Sequence, residues 1–318
     1  VEPGSITGST GTRGHSPCRQ GANKPEGSRE GRAGRSSEEI VTVIAGPCLV
    51  RHFPDGECYV RLDVDVRDRE VIVVGGLDRP AERLLPTLFL GATAKDLGAR
   101  RVGLVAPYLS FMRQDSRFHP GEGLTSAYFA RLLAATFGWL CTVDPHLHRY
   151  RSLDEVYPIP SRVVQAAPAI AAWIAEHVAR PVLIGPDAES EQWVAAVAAR
   201  LDAPFLVLEK VSRGDHDVIV SAPALGGHAD RTPVVLDDII STGRTMIETL
   251  HHLRALGTRE PVCVGVHAVL VERAHDELLA AGAARVVTCD TIVHASNRIA
   301  IGDLLAEGVR ALLADLGA

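Results

Sequence analysis

From Ile40 onward, short β-branched runs alternate with alanine-rich segments of helical period, and the alternation runs through twice. The first set of strand candidates is Ile40–Ala45, Tyr59–Val64, Glu70–Val74, Val102–Ala106 and Leu140–Val143. The second is Pro181–Ile184, Phe205–Leu208, Asp217–Ser221, Val234–Asp237, Val262–Ala268 and Arg285–Thr288. Between them the spacing predicts helices over Pro80–Leu97, Thr125–Thr136, Val164–Val178, Ser190–Leu201, Thr245–Leu256 and Ala274–Ala281. Such a pattern builds βαβ units and a largely parallel sheet flanked by helices, an α/β fold. The break at Tyr157-Pro-Ile-Pro160 splits it into two stacked domains, 40–160 and 161–300. A closing helix within 301–318 is expected to pack back on the first domain.

The tail before this pattern is different. Residues 1–39 are rich in Gly, Ser, Arg and Pro and nearly lack large apolar side chains, so the tail is expected to be disordered. It has no apolar core of a secretory signal. Its Arg and Ser suggest a transit peptide, but Glu26, Glu30, Glu38 and Glu39 argue against one. Six cysteines without Cys-x-x-Cys spacing read as thiols of a reducing compartment, which places the chain in the cytoplasm. A net charge of −6 gives no footprint for nucleic acid, and no apolar run approaches a membrane span.

The stretch Val234-Val-Leu-Asp-Asp-Ile-Ile-Ser-Thr-Gly-Arg-Thr-Met246 carries the most chemistry. An apolar strand ends in Asp237 and Asp238, and a short loop, Ser241, Thr242, Gly243, Arg244 and Thr245, opens onto a helix. Strand ends of open α/β sheets face ligands, and free N–H groups at a helix start bind phosphate. Two carboxylates can accept hydrogen bonds from a sugar diol, so the ligand described is a phosphorylated ribose. The other reading is a plain strand-turn-helix with aspartates as caps. Asp-Asp-x-x-Ser-Thr-Gly-x-Thr resembles the ribose-phosphate signature of the type I phosphoribosyltransferases.

Three further segments lie in the first half. Phe53-Pro-Asp-Gly-Glu57 reads as a turn by its Pro-Asp-Gly core. Arg113-Gln-Asp-Ser-Arg-Phe118 follows the strand ending at Ala106, and its Arg113 and Gln114 offer fork-shaped donors suited to phosphate and purine. Val143-Asp-Pro-His-Leu-His148 puts His146 at another strand end. With Pro186-Asp187 and the Asp-Asp loop, this set is similar in order and spacing to the ribose-phosphate pyrophosphokinase family. The likeness runs from about Thr42 to Leu316 and looks closest to the archaeal-type branch.

The resemblance implies two phosphoribosyltransferase-like domains with the active site between them. It implies transfer of the diphosphoryl group of ATP to ribose 5-phosphate, with Mg2+, giving 5-phosphoribosyl 1-pyrophosphate and AMP. Asp237, Asp238 and Ser241 to Thr245 would hold ribose 5-phosphate; Arg113, Gln114 and Asp115 would bind ATP. His146 and Asp187 would position magnesium. Phe53, Asp55 and Glu57 would reach the adenine on a neighbouring subunit, which makes a homo-oligomer part of the expectation. Leu208-Glu-Lys-Val-Ser-Arg-Gly214 looks like the family's mobile catalytic loop, with Lys210, and Arg213 beside it, as the catalytic cations.

Two departures stand out. The loop has Ser212 where relatives often carry arginine in Lys-x-Arg, and Asp187 is followed by Ala188-Glu-Ser-Glu191 instead of a glycine-containing turn. Two other functions share parts of the pattern. A phosphoribosyltransferase would use the Asp237–Thr245 loop but leave the first domain unexplained. A non-catalytic regulatory subunit would be expected to have lost the metal or loop residues, whereas His146, Asp187, Lys210, Asp237 and Asp238 are all present.

Overall fold

The computed structural model describes residues 45–117, 119–147, 149–213, 216–221, 227–228, 230–271 and 273–317. The expected tail 1–39, and all of the first strand candidate except Ala45, lie outside the described residues. A hairpin comes first, β1 (Cys48–His52) and β2 (Cys58–Leu62). There follow β3 (Glu70–Val74), α1 (Pro80–Asp96), β4 (Arg101–Ala106), α2 (Thr125–Thr136), β5 (Trp139–Val143) and β6 (Ser161–Val164). The second half runs α3 (Ala167–His177), β7 (Pro181–Gly185), α4 (Glu191–Leu201), β8 (Phe205–Val207), β9 (Glu209–Arg213) and β10 (His216–Ser221). It closes with β11 (Thr232–Ile240), α5 (Arg244–Ala255), β12 (Val262–Ala268), α6 (Ala274–Ala280), β13 (Arg285–Cys289), β14 (Asn297–Ile299) and α7 (Gly302–Asp315).

Two parallel sheets organise the chain. The first has the order β3-β4-β5-β6 and the second β14-β13-β12-β11-β7-β8. Every residue of β5 and of β12 is buried, as expected for parallel strands covered on both faces. A single apolar cluster joins the sheets. It takes Trp139 and Val143 from the first, Leu236 and Val264 from the second, and Ile170, Ile174, Leu312 and Leu313 from α3 and α7. The two lobes therefore share a core. Among the described residues, no helix is long and apolar enough to cross a membrane.

The division at 160/161 falls one strand early for the sheets. Ser161–Val164 is the edge strand of the first sheet, pairing with β5, and the helix expected from Val164 starts at Ala167. Pro158 and Pro160 break the chain just before it, and the alanines that follow mask a short strand in the sequence. The closing helix α7 packs on β5 and β6. Gly308 allows the close approach, since a Cβ there would lie 2.4 Å from Val164, and Arg162 pairs with Asp315.

Gly103 is a second point of close approach. It pairs with Trp139, whose indole crosses over it to donate from Nε1 to Glu70 Oε1 at 2.7 Å, two strands away. A Cβ at Gly103 would sit 1.9 Å from that ring. Gly103→Ala is therefore expected to cost about 3 kcal/mol by overpacking and to lower Tm by about 6–12 °C. A calorimetric scan checks this, and an unchanged Tm would mean that the indole can move aside.

Candidate active site

The chain leaves β7 towards β8 on one side and returns to β11 on the other, so β7 and β11 flank a topological switch point. Such a crevice, outside the carboxyl ends of the strands, is where open α/β sheets take ligands. Here it opens as a cleft. Its walls are Asp187 and Glu189 after β7, Asp237, Asp238 and residues 239–246 from β11 onward, and Arg113 and His146 from the first lobe.

The two aspartates lie within β11, which runs three residues further than the sequence suggests. Parallel pairing with β12 continues to Ile240 opposite Ala268, whereas pairing with β7 stops at Val235. The carboxylates stand where β11 has lost one neighbour. Burial, then the negative charges of Asp238 and Asp187, push Asp237 well above the usual carboxylate range. Burial would raise Asp238 too, but the hydrogen bond and charge of His146 outweigh it and leave Asp238 below its ordinary value. His146 Nδ1 lies 2.6 Å from Asp238 Oδ2, and this hydrogen bond raises the imidazole against the opposing effect of burial. The ring runs nearly parallel to that of Trp193, at 14° with centroids 6.5 Å apart.

The loop after β11 turns at Gly243, whose φ of +70° is left-handed and suits glycine. A Cβ there would also approach Leu278 to 3.3 Å. Helix α5 begins at Arg244 with no side-chain cap. Its first N–H groups and the positive end of its dipole thus face the cleft alongside Ser241, Thr242 and Thr245, an arrangement suited to a phosphate.

The other expected site residues are placed as follows. Asp187 accepts hydrogen bonds from the amides of Glu189 and Ser190 while lining the cleft. Asp115 is buried and bound to the Arg149 guanidinium at 2.7 Å and amide at 3.1 Å, so it anchors the loop that carries Arg113. The Gln114 side-chain carbonyl accepts from Thr125. Phe53, Asp55 and Glu57 are exposed at the tip of the β1–β2 hairpin, away from the cleft lining. There the Arg51 guanidinium sits 4.5 Å from the ring centroids of both Phe53 and Tyr59. Lys210 and Arg213 lie on β9, a strand rather than a loop, with Val211 opposite Val218 of β10. The side chains of both cations lie outside what is described.

Two residues at the junction of the lobes were given no role by the sequence. Asp144, two positions before His146, has φ +30° and is raised to about 6 by burial. His267 on β12 is buried and held down to about 4, chiefly by desolvation. Nothing in V-G-V-H-A marks that histidine in the sequence, because its partners are 24 and 123 residues away.

Among the described residues, no three His, Cys, Asp or Glu side chains converge tightly enough to cage a metal ion. The donor set nevertheless fits magnesium, which takes one or two carboxylates and fills its shell with water and substrate phosphates. Asp187 and Asp237 offer hard oxygens on one wall, and a cation there would offset the burial and negative charge that raise Asp237.

Two family models match the chain: the N-terminal domain of ribose phosphate pyrophosphokinase over residues 34–136, and the phosphoribosyl transferase domain over 152–302. A ribose-phosphate pyrophosphokinase of Methanobrevibacter smithii is 31% identical over 296 residues, covering 87% of this chain and 98% of its own. The protein of that name from Methanothermobacter thermautotrophicus is 34% identical over 266 residues, covering 82% and 90%. Among solved structures, phosphoribosylpyrophosphate synthetase from Mycobacterium smegmatis superposes with a TM-score of 0.74 over 86% of this chain and 92% of its own. At 23% identity that likeness shows a shared fold.

Proposed function

The chain belongs to the ribose-phosphate pyrophosphokinase family, and on that premise we propose that it moves the diphosphoryl group of ATP onto ribose 5-phosphate. The products are 5-phosphoribosyl 1-pyrophosphate and AMP. One observation carries this reading: a single cleft joins the uncapped start of α5 and the Asp237–Asp238 pair to Arg113 and His146 of the other lobe. The α5 end suits the sugar phosphate, and the first-lobe wall suits the nucleotide.

In this reading Ser241 to Thr245 hold the 5-phosphate, and Asp237 and Asp238 accept hydrogen bonds from the ribose hydroxyls. Arg113 and Gln114 bind ATP, with Asp115 acting through the loop it anchors. The anomeric hydroxyl attacks the β-phosphorus, a new O–P bond forms, and the bond to the α-phosphate oxygen breaks. Transfers of this kind need alignment and charge neutralisation more than covalent chemistry from protein, so the lobes act chiefly by holding the ends in line. Magnesium, when bound, would neutralise phosphate charge, with Asp187 and Asp237 as the residues that would offer it oxygens and His146 beside them in the cleft. Lys210 and Arg213 supply the cations for developing charge. The described cysteines are free thiols, which suits a cytoplasmic enzyme.

Positional labelling tests the reaction. Label in the β-phosphorus of ATP is expected in the sugar product, with AMP as the partner. Transfer of the γ-phosphoryl group alone, leaving ADP, would contradict it.

The hairpin supports a homo-oligomer. All of β1 is exposed, whereas β2 packs against α1, so the outer strand of the hairpin is left uncovered. A neighbouring subunit would cover it and receive Phe53 at its adenine. Phe53→Ala is then expected to raise KM for ATP by about tenfold, the value of a lost aromatic contact of about 1.5 kcal/mol, and to spare ribose 5-phosphate affinity. Initial rates at varied ATP check this, and an unchanged KM would remove the hairpin from the nucleotide site.

A further inference from the structure

His267 has no part in the reaction as described, yet it is only 1% exposed at the junction of the lobes. It lies on β12 opposite Ile239, next to Asp238 along β11. Its Nε2 is 3.2 Å from the Asp144 carbonyl oxygen, and its Nδ1 is 2.9 Å from Thr291 Oγ1. A carbonyl oxygen can only accept, so Nε2 carries the proton and donates. Nδ1 of the neutral ring is then left as an acceptor facing the Thr291 hydroxyl, whose oxygen also lies 2.9 Å from the Val266 carbonyl. The edge of Tyr108 closes a further side, with ring centroids 5.0 Å apart.

The turn that His267 grips is strained. Asp144 is left-handed at φ +30°, a conformation that costs a non-glycine residue about 1–3 kcal/mol and persists only where its surroundings over-determine it. Its amide donates to the Val164 carbonyl at 3.1 Å, and its carboxylate accepts from the Ala166 amide at 2.8 Å. These hold it to the first lobe. The carbonyl is the remaining polar group, and His267 of the second lobe takes it. Two residues on, His146 meets Asp238 of β11. The adjacent strands β11 and β12 thus hold both ends of one short turn.

We propose that His267 is a positioning residue: its Nε2–H fixes the Asp144 carbonyl and so sets where His146 stands in the cleft, tying the nucleotide lobe to the sugar-phosphate lobe. This inference rests on the reading of His146 as a working residue of the diphosphoryl transfer.

The test compares His267→Gln with His267→Met. The two side chains are of similar length, but only glutamine keeps an N–H where Nε2 stands. Melting temperature, ribose 5-phosphate affinity, kcat and the ring ¹⁵N shifts of His146 are measured for each. His267→Met is expected to lose about tenfold or more in kcat, since a misplacement of about 1 Å costs up to about 100-fold, with sugar-phosphate affinity kept within about twofold. The His146 shifts move in this variant. His267→Gln should restore the shifts and bring kcat to within about threefold of the parent. Full activity with methionine, equal losses in both, or affinity falling in step with kcat would overturn the proposal. Should His267→Met fail to fold, His267→Asn replaces it, because the shorter amide reaches Thr291 but not Asp144. A parent chain that forms no phosphoribosyl pyrophosphate removes the proposed reaction instead, and the His146 shifts still decide the positioning.

Discussion

Lys210→Ala is expected to lower kcat by about a hundred- to a thousandfold, the range seen when a group that meets developing charge is removed. Ribose 5-phosphate affinity is expected to stay unchanged, because a contact made only in the transition state contributes nothing to ground-state binding. Lys210 is the second residue of β9, its backbone paired with Ile219 of β10, so truncation at Cβ leaves the strand pairing in place. Single-turnover rates and calorimetric affinity, measured together, separate the two effects. An unchanged rate takes Lys210 out of the chemistry. A parallel fall in affinity would make it a binding residue.

Asp238→Ala is expected to act through binding. Its carboxylate is 5% exposed, bonded to His146 and part of the cleft lining. Losing the proposed charge-assisted hydrogen bonds, worth about 1.5–3 kcal/mol, is expected to weaken ribose 5-phosphate binding by about ten- to a hundredfold. The substitution also reverses two electrostatic effects. His146 is raised by its hydrogen bond to Asp238, so its pKa falls in the variant. Asp237 is raised first by burial and next by the Asp238 charge, so it ionises more readily once that charge is gone. Calorimetry reads the first effect and an NMR titration of His146 the second. Undiminished affinity would remove Asp238 from the sugar site, and an unmoved His146 titration would break the link between the lobes.

The parts of this site that were legible in the sequence are those written in contiguous residues. Glu70–Val74 and Val262–Ala268 are found at the expected bounds because their β-branched runs end in strong breaks. The Asp237–Thr245 loop was readable because strand, carboxylates, glycine turn and helix follow one another directly. What was hidden depends on partners far along the chain. Asp115 looks like a ligand until Arg149, 34 residues on, is seen to occupy it. His267 looks like a core residue until the strained turn at Asp144 comes to rest against it. Ser161–Val164 and Asn297–Ile299 are too short to show a period, and only the neighbouring strand defines them. Glu209–Arg213 carries charges that read as loop, yet it pairs with the apolar run that follows.

AMP formation from ATP and magnesium, with and without ribose 5-phosphate, tests the central claim most directly. The account predicts AMP only when the sugar phosphate is present, matched mole for mole by phosphoribosyl pyrophosphate. AMP that forms equally without the sugar, or a chain that binds ribose 5-phosphate and releases no AMP at all, would contradict it.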